Sequence, residues 1–455
     1  MLISAPCPAN AQSLDGVWQS RGYGYVFRIQ SGILKAFEVT ARTCLPGFTA
    51  KREDTAIEGR EATYRTSDGE VYFVRSAGEV DHRLLHDDGS ASDIRIDRLP
   101  SMPSQCDHPT GDTPQENFEV FTRTWAEHYI SFDLKNANWD KIVDAKRLRI
   151  SAQTSQPVLF EVLQSMIEPF GDAHTFLSAP KLKRRFHGLR PGTDRVVKDL
   201  VGSRGLEEFR KSAMNRLLAV TDHAYLHGPV RKFCNDQLQF AKIDANTGYL
   251  RILSFGGYVK GGDFAKGGSA LNAALDEIFS DSSLKALVID VRINFGGDDP
   301  YGLEIASRLA ANDYLAYTKY ARAGAGERDR WTPGDPSIVK PSPRPGFRGP
   351  VVELTSPLTI SAGETFTQAL MDRVPHVTRI GENTQGVFSD VLVRHLPDGW
   401  IFGLPNEVYR TAQGTTFDGP GIPPDIQLPV FAMADVGAGR DPAMAKALEI
   451  LASPL

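Results

Sequence analysis

VVELTSPLTISAGETF, residues 351–366, sets the reading of the whole chain. The apolar, β-branched run 351–354 breaks at Ser356 and Pro357, and a segment of small residues then enters a helix predicted over residues 362–373. Ser361 stands at the entrance of that helix. With Glu364 three residues on, it fits a capping box, in which the hydroxyl accepts from a backbone N–H and does no chemistry. The same position suits a nucleophile, because a helix N-terminus offers spare N–H groups and the positive end of a dipole to a forming oxyanion. Taken alone, the stretch favours the cap. Gly363 matches the second glycine of the hydrolase elbow GxSxG, but Thr359 stands in place of the first.

Around this stretch, from Gly248 onward, strands and helices alternate. Residues 249–255 read as a strand and 269–279 as a helix with Leu271, Leu275 and Ile278 inward. LKALVIDV at 284–291 is a nearly continuous apolar strand of the kind buried on both faces. RINFGGDD (292–299) leads into a helix ending near Ala310. A Pro- and Gly-rich loop at 323–350 is long enough to predict a functional flap bordering a cleft. A strand at 377–381, a hairpin closing on Pro397-Asp398-Gly399 and a last helix capped by Asp441 and Pro442 follow. The alternation predicts an α/β core with a largely parallel sheet, whose strand ends are where ligands bind.

Upstream the grammar differs. From Gly16 to Leu99 apolar and polar residues alternate in short runs punctuated by Asp68-Gly69 and Asp88-Gly89, which predicts a small antiparallel β domain. Thr113, Pro114 and Glu116 form a capping box with proline at the first helical position. Phe118, Phe121, Trp125, Tyr129 and Phe132 then recur at helical spacing as one buried face. Two more helices are predicted over about 140–150 and 156–168. The loop after them, Phe170-Gly171-Asp172-Ala173-His174-Thr175-Phe176-Leu177, carries a histidine that by itself is no more marked than the other nine. A helix is expected near 206–220. His223 and His227 lie one helical turn apart, but Ala224 occupies the place of the glutamate in HExxH, so no metal site is expected. The domains predicted are a signal-peptide remnant or disordered start at 1–12, the β domain at 13–100, a helical domain at 101–180, a connecting segment at 181–243, the core at 244–430 and a tail helix at 431–455.

A net charge of −5 over 455 residues argues against an electrostatic grip on nucleic acid or anionic lipid. The basic run 181–185 reads as a solvated face. No apolar run is long enough for a membrane span. Ala9-Asn10-Ala11 before Gln12 fits a signal-peptidase site without the preceding apolar region, and predicts a clipped signal peptide and a periplasmic or secreted protein. Four cysteines without CxxC spacing give no zinc or thioredoxin pattern, and Cys44 and Cys106 are a candidate pair in an oxidising compartment.

Six pieces then fall in one order: DAHTFL (172–177), GYLRI (248–252), DVRINFGG (290–297), TSPLTISAGETF (355–366), RIGENTQG (379–386) and FDGPGIPPDI (417–426). In that order they resemble the tail-specific, or C-terminal processing, serine peptidases together with the tricorn-type core proteases. The resemblance implies a crotonase-like fold of stacked β-β-α units, with the N-terminal β domain outside it. It makes Ser361 the nucleophile and the backbone N–H groups of Ala362 and of the Gly296-Gly297 turn the oxyanion hole. Val387 follows Thr384-Gln385-Gly386 where the tail-specific branch has its lysine base, so the Ser/Lys dyad is excluded for this chain. In the tricorn-like branch the base is a histidine, and His174 stands there, with Asp418 as the acid that orients it. No segment of PDZ length lies between His174 and Gly248. The resemblance implies a peptide or protein substrate, no metal and no organic cofactor. Two rivals use the same fold: a noncatalytic binding protein for an apolar ligand or peptide, like the retinoid-binding modules of the eye, and an acyl-CoA enzyme of the crotonase type.

Overall fold

The computed structural model describes residues 14–54, 59–323 and 330–452. The signal-peptide-like start lies outside the described residues. From Gly16–Ser20 to Asp93–Leu99, eight antiparallel strands close into a barrel, the first pairing with the last. Both Asp-Gly pairs occupy the hairpin turns expected of them. Inward side chains, among them Trp18, Phe27, Tyr64 and Leu85, fill the interior as a packed core. Cys44, on the fourth strand, is disulfide-bonded to Cys106 in the link that leaves the barrel.

The helical layer begins at Pro114–His128, capped as expected, with Thr113 accepting from the Glu116 N–H. Its aromatic stripe is core. Trp125 and Tyr129 pack against Phe170, and Phe121 against Phe402 of a strand far along the chain. Helices at Trp139–Arg147 and Gln156–Ile167 complete the layer. The chain then turns at Gly171 and enters the strand Phe176–Ala179, which pairs with Ile401–Pro405. That pairing joins the helical layer to the α/β half. The stretch 191–225 that follows holds the Pro191–Val201 helix and a longer, irregular helical run ending at Tyr225.

The α/β half is built on a seven-stranded sheet in the order His227–Phe233, Leu238–Lys242, Thr247–Ile252, Ala286–Asp290, Val351–Thr355, Val377–Gly381, Ile426–Gln427. The first three strands are antiparallel, and from Thr247–Ile252 onward every pair is parallel. Central strands are buried throughout, as their unbroken apolar runs require. Asp290 ends its strand with a carboxylate that accepts from the Arg292 backbone N–H (3.0 Å), the Arg292 guanidinium and the Tyr249 hydroxyl (2.6 Å). Burial raises the Asp290 pKa, but Arg292 outweighs it and holds the group below its usual range. Arg292 also meets Asp441 at 2.8 Å, so a buried charge cluster pins the start of the loop that carries Gly296.

The described part of the loop at 323–350 is not among the residues lining the cleft at Lys135 and Arg190 described below. Asp335–Val339 forms a strand on Tyr314–Ala321, and Phe347 donates its N–H to Arg308 O at the end of the Asp299–Leu309 helix. Proline and glycine there serve tight packing against a helix. Residues 324–329 lie outside the described residues.

Glu353 breaks the apolar run VVELT. It is fully buried, with one oxygen bonded to Thr367 Oγ1 at 2.9 Å and the other without a partner. Burial pushes its carboxyl up to about 7. Its native pKa is raised above the unfolded value, so the native state holds the extra proton, and wild-type stability falls as pH rises from about 4.5 to 7. Glu353→Gln should remove that loss. Its Tm relative to wild type should rise between pH 5 and pH 8, by the equivalent of at most about 3 kcal/mol; a pH-independent difference would contradict the assignment. The disulfide closes a loop of 62 residues, for which chain entropy gives up to about 4 kcal/mol. Replacing both Cys44 and Cys106 by Ser should lower Tm by several degrees, measured by calorimetry, and reductant should then have no further effect.

Candidate active site

The Ala362–Ala369 helix is eight residues long and buried on every side. A helix this short is not stable alone, so packing must hold it. Phe366 packs against Phe255 with tilted rings 5.2 Å apart, and Gly363 lies against Asn294. Asn294 in turn links two loops, its N–H donating to Leu358 O and its carbonyl accepting from Ile360.

Ser361 heads this helix with φ 57° and ψ −124°. That is not the extended backbone of a capping residue such as Thr113, at φ −63° and ψ 154°. A non-glycine residue in this region is strained and is retained only where its surroundings impose it. Two contacts impose it here. The Ser361 N–H donates to Val387 O at 3.1 Å, and Ser361 O accepts from the Glu364 and Thr365 N–H groups at 2.7 and 3.0 Å. The result is a sharp turn into the helix, of the kind that exposes a nucleophile, reached without the GxSxG spacing.

The Gly296-Gly297 turn packs directly on this serine. A Cβ on Gly296, which has φ 78°, would lie 2.7 Å from Ser361 Cβ, and one on Gly297 would strike Phe255 O. The two glycines are not equivalent as donors. Gly296 gives its N–H to Asn294 Oδ1 at 2.9 Å, whereas among the described residues neither Gly297 N nor Ala362 N has an acceptor.

Glu364 is more than a helix cap. Its carboxylate accepts from Gly386 N (2.6 Å) and Val387 N (2.7 Å) and lies 3.4 Å from Ser361 N. Burial pushes it up to about 7. On the other side of the same segment, Arg190 donates to Gly386 O at 2.5 Å.

His174 approaches the far end of the segment. Its backbone N–H is held by Asp172 Oδ1 at 3.0 Å, its ring lies against the backbone of Ser389, and its Nδ1 is buried without a partner. Burial depresses its pKa below 6.5, partly opposed by Asp172 and Asp390. Ser361 and His174, 187 residues apart in sequence, thus both border residues 386–390, though no hydrogen bond joins them.

Asp418 meets the same segment without reaching the imidazole. One oxygen accepts from Phe388 N at 3.3 Å and the other from Thr416 Oγ1 at 3.0 Å; burial pushes it up to about 7. The carboxylates acting on His174 are Asp172 and Asp390. Asp172 stands in the quoted DAHTFL piece, where the sequence reading gave it no role; Asp390, from a strand-end loop, carried no signal. Among the described residues no cluster of His, Cys, Asp or Glu could hold a metal, and no helix is long and apolar enough to cross a membrane.

Residues 246–428 match the family model described as Peptidase family S41. The chain is 28% identical over 222 residues to carboxyl-terminal-processing peptidase 2, chloroplastic, of Arabidopsis thaliana, covering 49% of this chain and 39% of that protein. It is 27% identical over 188 residues to a carboxy-terminal-processing protease of Bartonella bacilliformis, covering 41% and 39%. The chain therefore spans about two fifths of the length of each of these relatives. Among solved structures, a putative peptidase from Parabacteroides merdae superposes with TM-score 0.60 at 24% identity, covering 75% of this chain and 97% of that one. Mature CPAF gives 0.53 at 13%, covering 74% and 96%; both are likenesses of fold. Residues 246–428 are thus similar to peptidase family S41, and the strained serine on its glycine turn lies within that stretch.

Proposed function

We propose that the protein is a serine peptidase that cuts peptide bonds through an acyl-enzyme on Ser361. The observation that carries this reading is the Ser361 backbone, held at positive φ against a glycine turn at the head of a buried helix. A capping serine has no need of that geometry. A nucleophile does, because it brings Oγ and the N–H groups of Ala362 and Gly297 to one side of an incoming carbonyl.

In this mechanism Ser361 Oγ attacks the scissile carbon, and His174 takes its proton and returns it to the leaving amine. The negative oxygen settles between Ala362 N and Gly297 N. Gly296 contributes shape, since its own N–H is committed to Asn294. Asp172 holds the backbone of His174 and, with Asp390, favours the imidazolium that forms. Asp418 has a positioning role through Phe388. The repeated strand-and-helix units support the crotonase-like assignment. The Cys44–Cys106 bridge supports a compartment outside the reducing cytosol, in keeping with a periplasmic or secreted protein.

A fluorophosphonate probe should label wild-type protein and leave Ser361→Ala unlabelled; equal labelling of both would sink the reading. In His174→Ala, labelling should slow by about two to four orders of magnitude. The base must be neutral to act. Because burial lowers the His174 pKa, kcat/KM against a fluorogenic peptide should fall on the acid side with a midpoint below 6.5. A midpoint at 7 or above would point to a different base.

A further inference from the structure

A cleft of about 700 Å³ opens beside the segment that holds Ser361, its walls including Lys135, Gly171, Arg190, Thr193, Gln385 and Gly419. Its acidic groups are already committed. Glu382 pairs with Arg195 at 2.5 Å and accepts from Val430 N, and the neighbouring Asp172 accepts from the Tyr129 hydroxyl and the His174 N–H.

Arg195 is thereby spent, but two other cations are not. Among the described residues neither Lys135 nor Arg190 has an ion-pair partner. Arg190 is 8% exposed; Nη2 reaches Gly386 O, while its Nε is buried with no acceptor. A buried charged donor left without an acceptor is costly, and an arriving anion lowers that cost. Burial, and then the nearby Arg190, bring the Lys135 ammonium down to about 8. Arg190 is also the N-cap of the Pro191–Val201 helix, with no side-chain cap, so the positive end of that helix opens on the same space.

We propose that this cleft is a carboxylate subsite, in which Lys135 and Arg190 at the start of the Pro191–Val201 helix hold an acidic group of the peptide being cut. The proposal rests on the peptidase reading. Position supports it: Gly386 O takes Arg190, and the next carbonyl, Val387 O, takes the Ser361 N–H. Subsite and nucleophile are thus fastened to consecutive peptide units. An apolar group bound here would leave both cations desolvated and unpaired. The carboxylate can come from an Asp or Glu side chain or from a free peptide C-terminus, which present the same chemistry.

The test is direct binding to the full-length Ser361→Ala protein, read by fluorescence anisotropy so that turnover plays no part. Three fluorescein-labelled peptides of one otherwise neutral sequence serve as probes: one with a central Glu and an amidated C-terminus, one with Gln in its place and amidated, and one with Gln and a free C-terminal carboxylate. At least one carboxylate-bearing peptide should bind about tenfold tighter than the amidated Gln peptide. Preference for the Glu peptide identifies a side chain as the source, and preference for the free terminus identifies the chain end. Lys135→Gln should abolish the difference and Lys135→Arg should restore it, with Tm unchanged in both. Equal affinity for all three peptides, or no affinity for any, would overturn the subsite. Fluorophosphonate labelling of wild type separates the two claims: labelling with equal affinities removes only the subsite, and a carboxylate preference without labelling removes only the peptidase.

Discussion

The hydrogen bond from Ser361 N to Val387 O, with Glu364 bracing the same carbonyl's segment through Gly386 N and Val387 N, is the constraint on which the site depends. It turns residues 386–390 into a common wall. Ser361 and Glu364 fasten to one end, Arg190 to the outer face, Asp418 to Phe388, and His174 rests against Ser389 at the other end. Glu364 lies far from water, so its hydrogen bonds to two N–H groups are strong and leave little freedom. Rigidity of this kind lets a strained serine persist, since the cost of its backbone is spread over the helix packing and the sheet behind it.

How His174 reaches that wall follows from topology. Gly171 turns the chain out of the helical layer, and Phe176–Ala179 pairs with Ile401–Pro405, the second strand of the hairpin that follows the wall. The aromatic stripe of the first long helix anchors this arrangement, Phe121 packing on Phe402 at 5.0 Å. Burial of such rings contributes about 2–3 kcal/mol each, so the helical layer and the α/β half hold one another as well as the site. The barrel is tied in too: Tyr23 donates to Glu407, which with Asp390 surrounds the buried Lys319, and Asp390 faces His174.

Much of this was legible from residue patterns because the patterns are local. Alternation with Asp-Gly turns read out the barrel strands, and a proline-led capping box read out the first helix. Unbroken apolar runs read out the parallel strands. Ser361 shows the limit. Its capping-box spacing equals that of Thr113, and only the backbone separates a cap from a nucleophile elbow. The six ordered pieces favoured the nucleophile where the spacing left both readings open, but they could not say that Gly296 spends its N–H on Asn294 while Gly297 does not. Asp418 was placed by its distance from a motif, and a shorter side chain bonded to Phe388 and Thr416 does not reach the imidazole. Arg190 and Lys135 lie outside every motif and meet only in the fold. In the loop at 323–350, length and proline content record a need for turns, which the described residues use along a helix.

The account's central claim is that the Ser361 turn and the Gly296-Gly297 turn form one preorganised site for a tetrahedral oxyanion. The most direct measurement is a crystal structure of the protein after reaction with a small fluorophosphonate. The adduct should sit on Ser361 Oγ, with its phosphoryl oxygen about 2.7–3.1 Å from both Ala362 N and Gly297 N and the backbone of Ser361 still at positive φ. An adduct whose phosphoryl oxygen points to solvent, or a Ser361 backbone relaxed to an ordinary capping conformation, would contradict it.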